Sequence, residues 1–131
     1  MVAQFEIRKK VNEFVEMAAL GPVKSFYPTA VAKYANVPLE MAFGYLMDLT
    51  RSGEITLKWE LRCPMYDCNK VIKENNSKAN SFDTECPRCG HEFEVQIKDY
   101  FPKFDLNPSY KKYIQKEHEE GKKKRLLTLQ A

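Results

Sequence analysis

The sequence predicts an α+β fold in which helices occupy the first half of the chain and short strands follow them. Apolar residues recur at helical spacing as far as Ser52, and from Ile55 onward they alternate with polar residues instead. Two cysteine pairs come next, joined by a polar stretch rich in turn-forming residues. A length of 131 residues allows one domain or two very small ones, and small units often need a metal or disulfides to stay folded.

The first predicted element is an amphipathic helix from Phe5 to Leu20. Its apolar residues recur every three or four positions, so they share one helical face and are expected to be buried: Ile7, Val11, Phe14 and Ala18. Charged and polar residues occupy most of the remaining wheel positions. Gly21-Pro22 ends the helix, because these residues are typical of helix ends.

Two more helices complete the first half of the chain. The second begins near Pro28, and its expected buried residues are Val31, Ala32 and Ala35. Val37-Pro38 interrupts the chain, and the third helix extends from about Leu39 to Ser52. Its expected buried residues are Ala42, Leu46 and Leu49, and Gly53 fits its C-terminal cap.

The remaining elements are predicted from alternation and from turn residues. Residues 55–62 alternate as a half-buried strand that leads directly into Cys63, and residues 91–98 alternate in the same way. Residues 73–83 between the cysteine pairs are polar and turn-rich, which predicts a loop. Residues 99–106 are aromatic and irregular. We expect a short helix from Asn107-Pro108 to about Glu120, followed by a mobile basic tail.

The cysteines form two closely spaced pairs, Cys63-x4-Cys68 and Cys86-x2-Cys89. Four thiolates complete the tetrahedral shell of one Zn²⁺ ion, and short turns are needed to direct two of them at the same metal. Pro64 and Pro87 stiffen these turns, and Gly90 can adopt the positive φ required after the last ligand. The sequence therefore predicts one structural Zn²⁺ in a small antiparallel zinc ribbon over residues 63–98.

Two disulfides or a redox dithiol are the alternatives to a metal. The amino terminus mixes acidic and basic residues before any long apolar run, so we expect no signal peptide and a cytoplasmic, reducing location. A redox Cys-x-x-Cys usually begins a helix, whereas this one leads into a predicted strand. His91 could compete as a ligand, but its place in the alternation favours a structural role.

The sequence gives little support for catalysis. Four cysteine ligands would leave no open position on the metal for a reacting water molecule. The chain has two histidines, no Gly-rich phosphate loop and no Gly-x-Ser-x-Gly motif, so nothing supplies an activated nucleophile. We therefore expect no catalytic residues and no enzyme activity. The apolar runs are also too short to span a membrane, so no membrane partner is expected.

The order of helices before the strand resembles that of the winged helix-turn-helix family. The stretches that carry the resemblance are "TAVAKYANV", which is similar to the second helix, and "AFGYLMDLTRSGEI", which is similar to the third. It implies that Leu46, Leu49 and Ile55 are core positions, that Gly53 is the cap, and that Ile55–Leu61 is the first wing strand. Joined to a zinc ribbon, the arrangement resembles the amino-terminal half of the large subunit of general transcription factor E. The Cys-x4-Cys turn and the direct entry of the wing strand into the ribbon depart from that pattern.

The third helix suits a protein partner better than DNA. Winged helices that read DNA place Arg, Lys, Asn or Gln at base edges, whereas this helix carries acidic and apolar residues off its core face. Met41, Phe43 and Met47 are therefore the candidate partner-binding residues. Burial of Phe43 and Met47 beneath another element is the alternative, because apolar stripes on helices usually face the core.

Basic residues make nucleic acid the second candidate partner. Residues 1–60 carry seven Lys/Arg and seven Asp/Glu, and residues 61–105 carry seven and eight. Residues 106–131 carry seven and three, so the excess positive charge lies at the C-terminal end. The candidate nucleic-acid-binding residues are Lys70, Lys73, Arg88, Lys122, Lys123, Lys124 and Arg125. For those in the ribbon, a solvated face is the alternative, because acidic residues are interspersed among them.

These observations predict three segments: a winged helix-turn-helix at 1–62, a zinc ribbon at 63–98, and a C-terminal segment at 99–131 with a short helix and a basic tail. The expected function is that of a non-catalytic adaptor that docks onto a protein partner within a nucleic-acid-handling assembly. The alternative is a DNA-binding transcription regulator that uses the wing, the ribbon lysines and the tail. The sequence does not set the oligomeric state.

Overall fold

The computed structural model describes the backbone of residues 3–130 and the side chains of residues 3–122. The part described is α+β, with four helices and six strands. In chain order the elements are α1 (Gln4–Leu20), β1 (Ser25–Phe26), α2 (Pro28–Ala35), α3 (Leu39–Ser52), β2 (Ile55–Arg62), β3 (Val71–Asn75), β4 (Asp83–Glu85), β5 (Glu92–Glu94), a 3₁₀ turn (Ile97–Asp99), β6 (Tyr100–Leu106) and α4 (Pro108–Gln130).

The strands form two sheets. One has four strands in the order β1-β6-β2-β3, and the other is the two-stranded β4-β5 hairpin. β2 and β3 are antiparallel, with Leu61 opposite Lys73 and an irregularity between Leu61 and Arg62. β4 and β5 are also antiparallel, with Thr84 opposite Phe93. The last strand in the sequence therefore returns beside the first two, and the residues between β2 and β6 hold both cysteine pairs.

The chain divides into two compact units. The helical unit contains the described residues up to Thr56 together with those from Asp105 to Gln130, and the cysteine-bearing unit is Leu57–Phe104. The division predicted from the sequence, 1–62, 63–98 and 99–131, differs because the end of the chain belongs with the first three helices. Within the helical unit, Lys111 Nζ donates to the carbonyl of Val23 over 2.7 Å, and Gln115 Nε2 donates to that of Ala19 over 3.1 Å.

The core of the helical unit differs in detail from the predicted one. α1 buries Ile7, Val11, Val15 and Ala19, whereas Phe14 and Ala18 are half-buried. Residues four positions apart do not lie exactly above one another, so a row of them moves gradually around the helix. The buried row that begins with Ile7 and Val11 therefore continues to Val15 rather than to Phe14. Phe14 still packs at the edge of this core, with its ring 5.3 Å from that of Phe26.

The other two predicted helices agree closely with the structure. α3 has the predicted bounds, and Gly53 caps it with φ of 97°. α2 buries Pro28, Val31 and Ala35, and α3 buries Ala42 and Leu46. Ala32 and Leu49, which were expected to be buried, are half-buried.

The strands after Gly53 depart further from the prediction. β2 has the predicted bounds, but Glu60 is buried beside Leu61, and its carboxylate accepts from Arg62 Nη2 over 2.8 Å. Residues 73–83 are not one loop, because they contain the end of β3 and the start of β4. Residues 91–98 are not one strand either: only Glu92–Glu94 form a strand, and Ile97 is 52% exposed in the 3₁₀ turn.

The C-terminal quarter contains more regular structure than predicted. β6 occupies the stretch expected to be irregular, although Pro102 lies within it. Proline is tolerated where a strand has no full-length neighbour to bond with. One of the two neighbours of β6 is β1, which has only two residues. α4 runs to Gln130 rather than ending near Glu120, so the segment predicted to be a mobile tail is helical. None of the described helices combines the length and the apolar character needed to cross a membrane.

Candidate metal centre

The four cysteines come together at one point in the cysteine-bearing unit. One ligand atom from each of Cys63, Cys68, Cys86 and Cys89 lies within 4.8 Å of all the others. The Sγ atoms of Cys63 and Cys89 are 3.6 Å apart, and those of Cys68 and Cys86 are 3.7 Å apart. Both of these distances join one pair to the other, so the cluster is shared between the two turns.

The first cysteine turn is shaped by its own backbone hydrogen bonds. The N–H groups of Cys68 and Asn69 both donate to the carbonyl of Met65 over 3.0 Å, and the Cys63 N–H donates to the carbonyl of Lys70 over 2.9 Å. Asn69 follows the second cysteine with φ of 50°, in the left-handed region. This conformation turns the chain back toward β3, and asparagine is among the few residues other than glycine that adopt it readily.

The second cysteine turn repeats this arrangement with two fewer residues. The Cys86 N–H donates to the carbonyl of His91 over 3.0 Å, and the Gly90 N–H donates to that of Cys86 over 2.9 Å. Gly90 follows the second cysteine with φ of 76°, as the sequence predicts. Asn69 and Gly90 therefore occupy equivalent positions. The role of Asn69 was missed in the sequence, although its place directly after Cys68 is the available signal.

The electrostatics of the site suit a bound cation. Cys63 and Cys86 are buried, Cys68 is half-buried and Cys89 is exposed. Burial raises the pKa of the Cys63 thiol to about 12. The backbone N–H groups of Cys89 and Arg88 lower the pKa of Cys86 to about 6 despite its burial. Because the four sulfurs lie within 4.8 Å of one another, their thiolates would repel one another, and a bound cation would balance this charge.

The sulfur positions fit a tetrahedral metal and do not fit disulfides. Four thiolates bound at about 2.3 Å in a tetrahedron lie about 3.8 Å from one another, close to the observed 3.6 and 3.7 Å. A disulfide needs sulfur atoms only about 2.05 Å apart, and all four cysteines are free. The clustered cysteines are therefore consistent with a metal site.

His91 lies beside the cluster without belonging to it. The group of possible metal ligands found in the described part of the chain contains the four cysteines and no histidine. The His91 ring stacks on Phe93 with centroids 5.8 Å apart and an interplanar angle of 9°. Its main-chain carbonyl, rather than its ring, supports the cysteine turn.

The candidate nucleic-acid-binding residues lie on several different elements. Lys70 follows the first cysteine turn, Lys73 is on β3, Arg88 is inside the second cysteine turn and Lys122 is on α4; all four are exposed. The side chains of Lys123, Lys124 and Arg125 lie outside the described residues.

An acidic face on the β4-β5 hairpin was not anticipated from the sequence. Asp83 lies opposite Glu94 and Glu85 lies opposite Glu92, and all four side chains are exposed. Alternate residues of a strand share a face, so these carboxylates lie on the same side of the hairpin. They also line a shallow cavity of about 560 Å³. The alternation in "DTE" and "EFE" is the signal that the sequence offered.

The candidate partner-binding residues on α3 differ in their exposure. Met41 is 42% exposed, whereas Phe43 and Met47 are half-buried. Glu40 and Asp48 are exposed on the same helix, and Asp48 accepts from Arg51 Nη1 over 2.6 Å. The outer surface of α3 is therefore acidic and apolar, with its one arginine already bound to an acid.

Comparisons with protein-family models, with curated proteins and with solved structures give no match for this chain.

Proposed function

We propose that this protein is a non-catalytic, zinc-containing winged-helix adaptor that docks onto a protein partner within a nucleic-acid-handling assembly. The order of elements supports the winged-helix part of the proposal. α1, β1, α2, α3 and β2 follow the order of that family, and β6 lies between β1 and β2 as the second strand of a wing would. The cysteine-bearing residues then occupy the place of the wing's connecting loop.

The donor set supports zinc in a structural role. Tetrahedral sites with four cysteine sulfurs are typical of Zn²⁺ and of iron–sulfur proteins, and the cytoplasmic location expected from the sequence would keep such thiols reduced. Cys63, Cys68, Cys86 and Cys89 would hold the ion, and a bound Zn²⁺ would neutralise the thiolates and fix the two turns relative to each other. Four protein ligands close the shell, so no position remains for substrate or water.

The observation that carries the adaptor proposal is the composition of the outer surface of α3. Duplex DNA attracts Lys and Arg and repels carboxylates. α3 presents Glu40 and Asp48 to solvent, and its Arg51 is engaged by Asp48. The exposed Met41 adds apolar surface of the kind that is enriched at protein interfaces. The acidic face of the β4-β5 hairpin likewise argues against nucleic acid at the ribbon.

Co-purification with a matched pair of methionine variants tests this proposal. Met41 on α3 is 42% exposed and Met17 on α1 is 49% exposed. Replacing either by Glu therefore puts the same negative charge at a similarly exposed position. We expect Met41→Glu to abolish recovery of proteins that co-purify with the tagged 131-residue chain, while Met17→Glu retains them. Phe43 and Met47 are less suitable first choices, because both are half-buried and their substitution also alters packing.

Duplex DNA binding by the purified protein separates the adaptor from the regulator. We expect little binding at physiological salt, because exposed carboxylates on α3 and on the β4-β5 hairpin repel the phosphate backbone. An affinity for duplex DNA that falls steeply as salt is added indicates several phosphate contacts. That result would favour the DNA-binding regulator over the adaptor. Retention of every co-purifying protein by Met41→Glu would remove α3 as the docking surface.

A further inference from the structure

A glycine at the centre of the outer surface of α3 has no explanation within the chain. Gly44 is exposed in the interior of the helix, and a Cβ built on it meets no atom within 4 Å. Glycine in a helix interior costs about 1 kcal/mol relative to alanine. Gly44 has ordinary helical φ and fits no cap, so neither backbone conformation nor packing within the chain requires it. A glycine of this kind is useful where another backbone or side chain approaches closely.

Gly44 belongs to a straight stripe along the helix. Glu40, Gly44, Met47 and Arg51 are spaced by four, three and four residues, which places them within about 60° of arc. The stripe has an acid at its first end and a base at its last, with the glycine and a methionine between them. Arg51 is 75% exposed, and its guanidinium has donors beyond the one that Asp48 accepts.

This stripe is complementary to itself when two copies are antiparallel. A two-fold axis passing between Tyr45 and Leu46 sets Glu40 of each copy opposite Arg51 of the other. The same axis sets the Met47 side chain opposite the gap at Gly44. A side chain entering a gap on the facing helix is the packing of antiparallel helix pairs, and a two-fold interface uses the same residues on both sides.

We propose that a second copy of this chain covers the outer surface of α3. The two α3 helices pair antiparallel through the stripe Glu40, Gly44, Met47 and Arg51. The inference rests on the proposed function in one respect, since both assign α3 to protein docking. A single helix pair buries less than a standard interface of about 1,600 Å², so we expect a weak dimer. Each of its two charged contacts joins Glu40 of one copy to Arg51 of the other.

Sedimentation analysis of charge-reversed variants tests the pairing. The 131-residue, metal-loaded chain is examined under reducing conditions up to about 1 mM, so that cysteine oxidation cannot link copies. Glu40→Arg places two arginines opposite each other at both ends of the interface, and Arg51→Glu places two glutamates there. We expect each variant to weaken self-association at least about tenfold, because both pairs become repulsive. Thermal unfolding of each variant verifies that it is folded.

Mixing the two variants gives the sharper result. Glu40→Arg pairs correctly with Arg51→Glu at both ends, so an equimolar mixture is expected to dimerise although neither variant does so alone. Gly44→Ala is expected to raise the stability of the chain and weaken the dimer, since its methyl group fills the gap. Gly121→Ala is the matched control, because Gly121 is also exposed in a helix and its Cβ would meet no atom within 4 Å.

Three outcomes would overturn the self-pairing: a wild-type chain that is monomeric at 1 mM, single variants that dimerise as the wild type does, or a mixture that stays monomeric. A different result tests the adaptor proposal, so the two proposals can be told apart. A monomeric wild type whose co-purifying proteins are lost with Met41→Glu would refute the second copy and leave the docking surface in place.

Discussion

Gly53 ends α3 in a backbone conformation that few other residues adopt. Its φ of 97° lies in the left-handed region, and its N–H donates to the carbonyl of Leu49 over 3.1 Å. A Cβ at this position meets no atom within 4 Å, so the cost of a side chain comes from the backbone alone. The turn made here directs the chain from α3 into β2, where Ile55 is buried.

Replacing Gly53 by alanine is expected to lower the free energy of unfolding by about 1 kcal/mol, because a non-glycine residue in the left-handed conformation is strained. Urea denaturation of the metal-loaded protein measures the effect. Gly44→Ala, in the same helix, serves as the comparison, and we expect it to change stability in the opposite direction. An unchanged or higher stability of Gly53→Ala would show that the cap does not hold this conformation in solution.

At the scale of elements, the β4-β5 hairpin has three cross-strand pairs, and the first and last of them each join two acidic residues. Asp83 faces Glu94 and Glu85 faces Glu92, and like charges directly opposite each other destabilise a sheet. Backbone hydrogen bonds join the two segments beyond both ends of the strands: the Cys86 N–H donates to the carbonyl of His91 over 3.0 Å, and the Val95 N–H donates to that of Phe82 over 2.8 Å. The hairpin therefore forms although the charged side chains of its two strands repel each other.

Glu92→Lys is expected to stabilise this hairpin by converting one repulsive pair into an attractive one. The expected rise in the thermal midpoint is about 2 °C at low ionic strength. The gain should shrink as salt is added, because exposed charges are screened. Glu92→Gln, which removes the repulsion without adding attraction, should give a smaller rise. A midpoint that is the same for all three proteins at low salt would mean that the paired carboxylates do not interact.

The accuracy of the sequence predictions depended on what holds each element in place. α3 was predicted with its observed bounds, because Pro38 precedes it, Gly53 caps it and its apolar residues are regularly spaced. The cysteine cluster was also predictable, since its ligands are local and their spacing is characteristic. The strands of residues 63–106 were predicted poorly: β4 and β5 are only three residues long, too short for alternation to reveal them.

Other differences arise from contacts that are distant in the sequence. β6 contains Pro102 and lacks a clear alternation, and its strand conformation comes from pairing beside β2. Glu60 occupies a position that alternation assigns to solvent, yet it is buried against Arg62 next to the irregularity in β2. The acidic face of the hairpin and the stripe on α3 required the register of the strands and the exposure of the helix, neither of which a single sequence provides.

At the scale of the whole molecule, the two units differ in how they are stabilised. The helical unit buries Val11, Val31, Leu46 and other apolar side chains on three helices. One apolar core cluster of the cysteine-bearing unit contains Leu61, Val95 and Tyr100, with Trp59, Ile72 and Phe93 packed against it. A unit of this size has little apolar surface to bury. Structural Zn²⁺ contributes roughly 10–16 kcal/mol of apparent folding free energy in small peptides, as much as the whole stability of a typical domain.

Removal of the metal by excess chelator under reducing conditions is therefore expected to unfold residues 57–104 while α1, α2 and α3 remain folded. Hydrogen exchange measured by mass spectrometry resolves the two units, and protection should disappear from β2 to β6 first. Adding Zn²⁺ back should restore it, and Cys63→Ser should show the same pattern without chelator, because it removes one buried ligand. Equal protection of residues 57–104 with and without chelator, or elemental analysis finding no tightly bound metal in freshly reduced protein, would show that these strands hold together without the ion.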